Sequence, residues 1–442
     1  MVGRNGPTAT DLRRTALGGR TPSSRGRKSR AGSRTGSQTA SRVGSLDASD
    51  ASDDEEASVA SADAWQLSDT EEVEEAVGDN WEPMLDAAVE GLGEKRGATR
   101  EKALGAAGRL LAHVYMGDAL EGRRVTLLEA LRRGVRSPKS ARERELSLRA
   151  VTLWFVQFGT SDEAETEFGS VCAALRVVAN NPSEEPAVRA AALDALAMAN
   201  FVAGADYRDA AELVHFVRGV LEQAQEARDA EVVRAALAAA GLLLTVVLDG
   251  NENLGAELFD SIFDAHVRAL TAASSGTRVA AAQNLATMHE ALGRFERHDE
   301  VIGVLELLRH ESSRRSGRAR GRRDVGAQRV ALRDVLKSLE TGEVPVVKLA
   351  VGGRMVQLNT WPRILRLQAF RAALGGGLPE HFARNELLHD VFEVEFDPSH
   401  DAYLANRARV VVDPSSSVAK ARSVDLRRRR DARRNAEAPD ED

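Results

Sequence analysis

Arginine is the residue type with the most chemistry to offer in this 442-residue chain. Six of them, Arg314, Arg315, Arg318, Arg320, Arg322 and Arg323, fall within ten positions, and eight more cations follow near the C-terminus: Lys420, Arg422, Arg427, Arg428, Arg429, Arg430, Arg433 and Arg434. A guanidinium presents a fixed fork of donors that matches two phosphate oxygens at once, so such runs suit a polyanion. Few aromatics stand among them, so recognition by shape and charge is expected rather than base stacking. No comparable set exists for bond-making chemistry. The chain has no Gly-x-x-x-x-Gly-Lys-Ser/Thr loop and no Gly-x-Gly-x-x-Gly after a strand. His289-Glu290 lacks the second histidine of a zincin, and His381 with His389 lacks a third ligand. Cys172, the single cysteine, stands in the apolar run Gly169-Ser-Val-Cys-Ala-Ala-Leu175 and reads as a small core residue rather than a nucleophile. Gly375-Gly-Gly377 reads as a helix stop. These readings predict no catalytic residue, no metal, no cofactor and no small-molecule substrate: a binding protein, not an enzyme.

The formal net charge of −7 conceals a segregated chain. Residues 1–42 carry ten Lys and Arg against Asp11, residues 43–94 carry 17 acids and no Lys or Arg, and residues 407–434 carry ten Lys and Arg against three acids. Blocks of like charge are usually tails or interaction surfaces. Residues 1–78, rich in Ser, Gly, Arg and then acids, lack apolar periodicity and are expected to be a disordered leader, basic then acidic. Ser45, Ser49, Ser52, Ser58 and Ser68, beside acids, are expected phosphorylation sites. One cysteine excludes a disulfide framework and suits a reducing compartment. The longest near-apolar run, Ala235–Leu248, falls short of the ~20 residues of a membrane helix. No apolar segment of a secretory signal opens the chain.

From about residue 80 the pattern turns helical and repetitive. A phrase built on an arginine recurs at Arg100, Arg142, Arg189, Arg234 and Arg278, spaced 42, 47, 45 and 44 residues apart. That is the period of HEAT or armadillo units, roughly 40–47 residues of paired helices. One pair cannot bury its own apolar face, so neighbours must stack. Residues 79–310 are therefore expected to form a HEAT/armadillo-like α-solenoid, with each arginine at a helix edge pairing with an acid or a carbonyl. The Arg/Gly/Ser stretch 311–324 is expected to be a flexible basic linker. A small α+β unit, 325–400, should follow. It comprises a helix from Gln328 to Thr341, a hairpin of Val346–Val351 and Arg354–Leu358 joined by Gly352-Gly353, a helix capped by Thr360 and ending at Gly375, and a short helix from Asn385 to Phe392. The tail, 401–442, is expected to carry a basic helix over about 418–434 that is marginal alone and gains order against phosphate.

Several phrases resemble the interferon-related developmental regulator family: Arg329-Val-Ala-Leu-Arg333-Asp334-Val-Leu336 with Glu340, Leu358-Asn-Thr-Trp361, Leu374-Gly-Gly-Gly-Leu378-Pro-Glu-His381 and Asn385-Glu-Leu-Leu-His-Asp-Val-Phe392, with Arg123-Arg-Val-Thr-Leu127 and Gly134 earlier on. The resemblance covers roughly 45–434, and it marks Arg333, Asp334, Trp361, Asn385 and Phe392 as family-motif positions. The basic leader, the alanine-rich repeats and the acidic last residues depart from it. The resemblance implies a ribosome-associated factor of translational silencing and dormancy, whose helical body occupies tRNA sites while an Arg-rich C-terminal helix enters the mRNA path. As the alternative it implies a nuclear transcriptional co-regulator, and stacked repeats with long binding surfaces suit a protein-interaction scaffold. On the first reading the partners are the ribosome and its RNA, with no membrane. The chain is then expected in the cytoplasm on ribosomes, with a nuclear pool on the second.

Overall fold

The computed structural model describes residues 81–159, 162–204, 206–314, 319–351 and 354–394. The leader, the Gly352-Gly353 turn and the C-terminal tail lie outside them. In chain order the elements are α1 (Trp81–Leu92), α2 (Gly97–His113), a 3-10 turn (Gly117–Arg123), α3 (Arg124–Arg136), α4 (Ala141–Phe158), α5 (Asp162–Ala179), α6 (Pro186–Ala203), α7 (Tyr207–Ala227), α8 (Ala230–Gly250), α9 (Glu252–Leu270), α10 (Ser275–Leu292), α11 (His298–Arg314), α12 (Ala319–Thr341), β1 (Val347–Val351), β2 (Arg354–Leu358), α13 (Trp361–Leu374), a 3-10 turn (Gly375–Gly377), α14 (Leu378–Arg384) and α15 (Glu386–Phe392). The architecture is mainly α: a HEAT-like solenoid with a small C-terminal hairpin and helices. Two compact units emerge, residues 81–261 with 346–394, and residues 262–345, the division falling inside α9.

In the first unit, helices pair as α1/α2, α3/α4, α5/α6 and α7/α8, while α2, α4, α6 and α8 pack on one another in succession. Local chemistry sets the helix starts. Ser140, Asp206 and Asp229 each accept a backbone N–H of the first turn, and Pro186 opens α6. Small residues allow close stacking: α6 buries Ala190, Ala191, Ala192, Ala195, Ala197 and Ala199, and α8 buries Ala235, Ala236, Ala239 and Ala240. At Gly134 a Cβ would stand 2.1 Å from the Ser147 hydroxyl, so α3 and α4 meet there only because the side chain is absent. The apolar run Ala235–Leu248 belongs to α8, which at 21 residues is long and apolar enough to cross a membrane. So is α6. Yet 78% and 72% of their most apolar windows are buried within the protein, so their apolar surface serves the core.

The arginine series is real, but its register needs correction at two positions. Arg100 forks onto Glu143 of the next pair at 2.6 and 2.9 Å and donates back to the Glu94 and Lys95 carbonyls. Arg189 donates to the Ala179 carbonyl and to Gln223. The equivalent residue in α4 is Arg144, not Arg142: it donates to the Val135 carbonyl at 3.1 Å and pairs with Glu184. Arg142 is exposed beside Glu145. In α8, Val233 takes the equivalent place and Arg234 is exposed. The positions 100, 144, 189, 233 and 278 are then 44 or 45 residues apart. Each sits fourth in its helix, where one orientation serves both the preceding loop and the following pair.

In the second unit, α12 packs on α10 and α11. Arg278 continues the series, bonding to the Ala272 carbonyl and to Gln328. His298 bonds through Nε2 to the Leu339 carbonyl at 2.9 Å. The expected flexible linker 311–324 is largely helix: α11 runs to Arg314 and α12 begins at Ala319, leaving only 315–318 outside the described residues. Arginine and alanine are good helix formers, and they carry Ser312, Ser313 and Gly321 within the two helices. The expected small unit 325–400 is divided. Its first helix, part of α12, belongs with 262–345, and everything from Val346 onward belongs with the first unit. There β1 and β2 pair antiparallel, from Val347↔Leu358 to Val351↔Arg354.

Candidate interaction site

Helices α2, α4, α6 and α8, packed in succession, present one continuous face of the first unit. Here part of that face is covered by the chain itself. Helix α13 packs on α2, α4 and α8, the Gly375–Gly377 turn and α14 pack on α2, and α14 carries α15. The anchor rests on four aromatic side chains. Trp361, Phe370, Phe382 and Phe392 are all buried. Phe370 meets Phe201 edge-on at 6.0 Å and Phe392 at 5.9 Å, and Phe382 lies 5.1 Å from Phe392. Rings packed this way bring large apolar area and a specific geometry together.

Polar side chains fix the register. Thr360 caps α13, with Pro362 in its first turn and Gly375 at φ +55° stopping it. Arg366 donates from Nε to the Thr245 hydroxyl and from Nη2 to the Thr245 carbonyl, both at 3.1 Å, and it pairs with Asp249 while lying over the Phe201 ring. Asn385 performs two tasks. Its Oδ1 accepts the Leu387 N–H to start α15, and its Nδ2 donates to the Val156 carbonyl at 2.9 Å. At Gly377 the backbone comes so near α2 that a Cβ would stand 1.8 Å from the Ala112 carbonyl oxygen. Gln157 organises the receiving surface, donating to the Leu111 and Val114 carbonyls and accepting the Met116 N–H. His381, fully buried, meets Tyr115 edge-on, and burial pushes its pKa down to about 4.

The structure therefore brings three of the five motif residues, Trp361, Asn385 and Phe392, into one anchor. Arg333 and Asp334 lie in α12, where they pair with each other at 3.4 Å. The predicted phosphate-binding cations fare differently. Arg314 ends α11, and Arg320, Arg322 and Arg323 lie in the first turns of α12. Arg315, Arg318, Lys420, Arg422, Arg427–Arg430, Arg433 and Arg434 lie outside the described residues, as does the expected helix 418–434. His389 bonds through Nε2 to the Phe382 carbonyl and so serves the anchor. Cys172 is half-buried, its thiol pushed up chiefly by burial. Among the described residues no three His, Cys, Asp or Glu side chains are placed to hold a metal. Arg144, Gln157 and Arg366 escaped the sequence reading, and Gly377 was read as part of a helix stop and not as a point of close approach. Only Arg144 had a signal, its spacing of 44 and 45 from Arg100 and Arg189.

These features define a helical-repeat scaffold, an architecture that works by binding, whose α2, α4 and α8 helices are partly covered by its own C-terminal segment. A profile of the interferon-related developmental regulator (IFRD) family matches residues 45–340, and the chain belongs to that family. It is 27% identical to interferon-related developmental regulator 2 of Mus musculus over 328 residues, 70% of this chain and 72% of that one. It is 22% identical to interferon-related developmental regulator 1 of Homo sapiens over 314 residues, 68% of each. Among solved structures it is similar to importin beta, with a TM-score of 0.43 and 16% identity, over 72% of this chain and 39% of that one. The matched range includes Arg333 and Asp334 and ends before Trp361, Asn385 and Phe392.

Proposed function

We propose that this protein silences translation by binding the ribosome: the helical body docks on the particle and the arginine-rich C-terminal segment enters the mRNA path. The observation that carries the reading is the anchor. Helices α13–α15 hold the end of the described chain firmly on the body, so the 48 residues that follow Val394 are tethered at a fixed point. Ten of those between 407 and 434 are Lys or Arg. A cationic segment fixed to a rigid scaffold gains in effective concentration at any polyanion the scaffold already touches. Occlusion needs no turnover, which agrees with the non-catalytic character of such scaffolds. On this reading the protein works in the cytoplasm, on ribosomes in a dormant state.

A nuclear protein scaffold is the second reading, favoured by the acidic stretch 43–94, whose 17 acids suit a basic partner. Sedimentation of a low-salt lysate separates the two. The full chain is expected to travel with monosomes, and deletion of 415–442 is expected to release it. Full-length protein that stays at the top of the gradient even in starved cells defeats the ribosomal reading. Sedimentation that the deletion hardly changes favours the scaffold.

A further inference from the structure

The loops α1–α2 and α3–α4 meet along one edge of the first unit. Arg133 donates to the Leu92 carbonyl at 2.7 Å, Ser140 to Glu101 at 2.5 Å, and a Cβ at Gly97 would stand 3.4 Å from that of Lys139. Lys95, Arg96, Arg133, Arg136, Lys139 and Arg142 are exposed there. Residues 93–102 and 132–144 together hold ten Lys and Arg against three acids. The fold does not demand this. The repeat uses at most one arginine per pair at that position, α8 doing without in Val233, and Arg100 and Arg144 already supply it. At the equivalent stretches of the next two pairs, residues 177–189 hold one base and two acids, and residues 221–233 one base and four acids. The excess is therefore absent from the next two pairs. Neither Lys95, Arg96 nor Lys139 forms a salt bridge among the described residues.

We propose that this edge grips the phosphate backbone of folded RNA, as a contact of the body separate from the C-terminal arginines. The inference rests on the RNA-binding reading above and deepens it. Phosphate fits better than an acidic protein partner because protein interfaces are built on an apolar centre. The exposed large apolar side chains, Met84, Val125, Val177, Val346 and Met355, all lie outside both stretches. An edge with charge and no apolar centre recognises a backbone.

The test uses the full chain and a labelled 24-base-pair RNA duplex titrated between 50 and 200 mM KCl. K95Q/R96Q/K139Q is expected to bind roughly ten-fold more weakly at the lowest salt. The slope of log affinity against log salt should be shallower by about two, since each lost phosphate contact removes somewhat under one. Deleting 415–442 should leave a weaker binding that this triple variant weakens again. Equal affinity and slope for wild type and variant overturn the edge while leaving the RNA reading standing. No binding by the wild type overturns both. Footprinting needs no variant: RNA should protect Lys95 and Lys139 of the wild-type chain from acetylation and leave Lys348 reactive. Equal protection by polyglutamate would reassign the edge to an acidic peptide and defeat the proposal.

Discussion

Arg100 and Glu143 meet across two helical pairs, with Glu143 nearly buried and held also by the Lys139 N–H. The Arg100 hydrogen bond outweighs burial and holds the Glu143 carboxyl below the usual carboxylate range. A carboxylate with a depressed folded pKa adds stability that is complete above its unfolded pKa of about 4.3 and is lost as pH falls through the folded value. Replacing Glu143 by Gln leaves a guanidinium without its charge partner. It is expected to cost about 3 kcal/mol at neutral pH, where removing one partner of a buried pair costs most. Urea unfolding at pH 7 and pH 3 checks it: the difference from wild type should shrink at the lower pH, and a pH-independent difference would argue for packing instead. Gly377 makes a purely steric counterpart. Gly377→Ala places a methyl against the Ala112 carbonyl and is expected to cost about 1–3 kcal/mol, or more if the turn cannot retreat. Gly108, with nothing within 4 Å of its Cβ position, is the control whose alanine variant should lose nothing.

At the scale of elements, the anchor α13–α15 is held through single residues far from it in sequence. Asn385→Ala removes the cap of α15 and leaves the Val156 carbonyl unpaired, for an expected loss of about 2–3 kcal/mol. Hydrogen exchange should locate the loss in residues 361–392 and spare α6; uniform acceleration would mean that the anchor does not open separately. His381 adds a pH dependence to the same element. Its folded pKa of about 4 lies below the ordinary value near 6.5, so the unfolded state takes up the proton first. Its contribution is complete above about 6.5 and falls by up to about 1.4 kcal/mol per pH unit down to about 4. Protection factors in α13–α15, with exchange corrected for its intrinsic dependence on pH, should therefore fall between pH 7 and pH 5, and those of a His381→Gln chain should respond less steeply. The local grammar of these elements was readable: Thr360 and Pro362 announced α13, Gly375 its end, Asn385 the start of α15, and the two β-branched runs the hairpin. Their destination was not. Arg366 and Thr245 are 121 residues apart and Asn385 and Val156 are 229 apart, and no periodicity reports on pairs so distant. The repeat period was also readable, while the arginine in α4 was misplaced by two residues. The phrase was matched by residue type, whereas the bonds select the fourth position of the helix.

For the whole molecule the connectivity is the telling feature. The chain builds residues 81–261, passes through 262–345 as a second compact unit, and returns with 346–394 to complete the first. Mainly helical composition and stacked pairs could be read from the sequence; a unit closed by a segment from beyond another unit could not, because spacing reports neighbours and is silent on returns. The arrangement has a mechanical consequence. Gly342-Glu343, just before the chain returns to the first unit at Val346, is exposed, while Trp361, Phe370, Phe382 and Phe392 on the returning segment are buried. A protease site inserted between Gly342 and Glu343 and cut in the folded protein should therefore leave the C-terminal fragment bound. Side chains of that size contribute about 1.5–3 kcal/mol each on full burial, so even after the cost of association the fragments should hold together at micromolar concentration. Gel filtration of the nicked protein is expected to give one peak containing both pieces. Arg366→Ala, which removes the bonds to Thr245 and the pair with Asp249, should convert it to two. A nicked wild-type chain that separates at once would mean that the returning segment is retained by its covalent tether rather than by the face it covers.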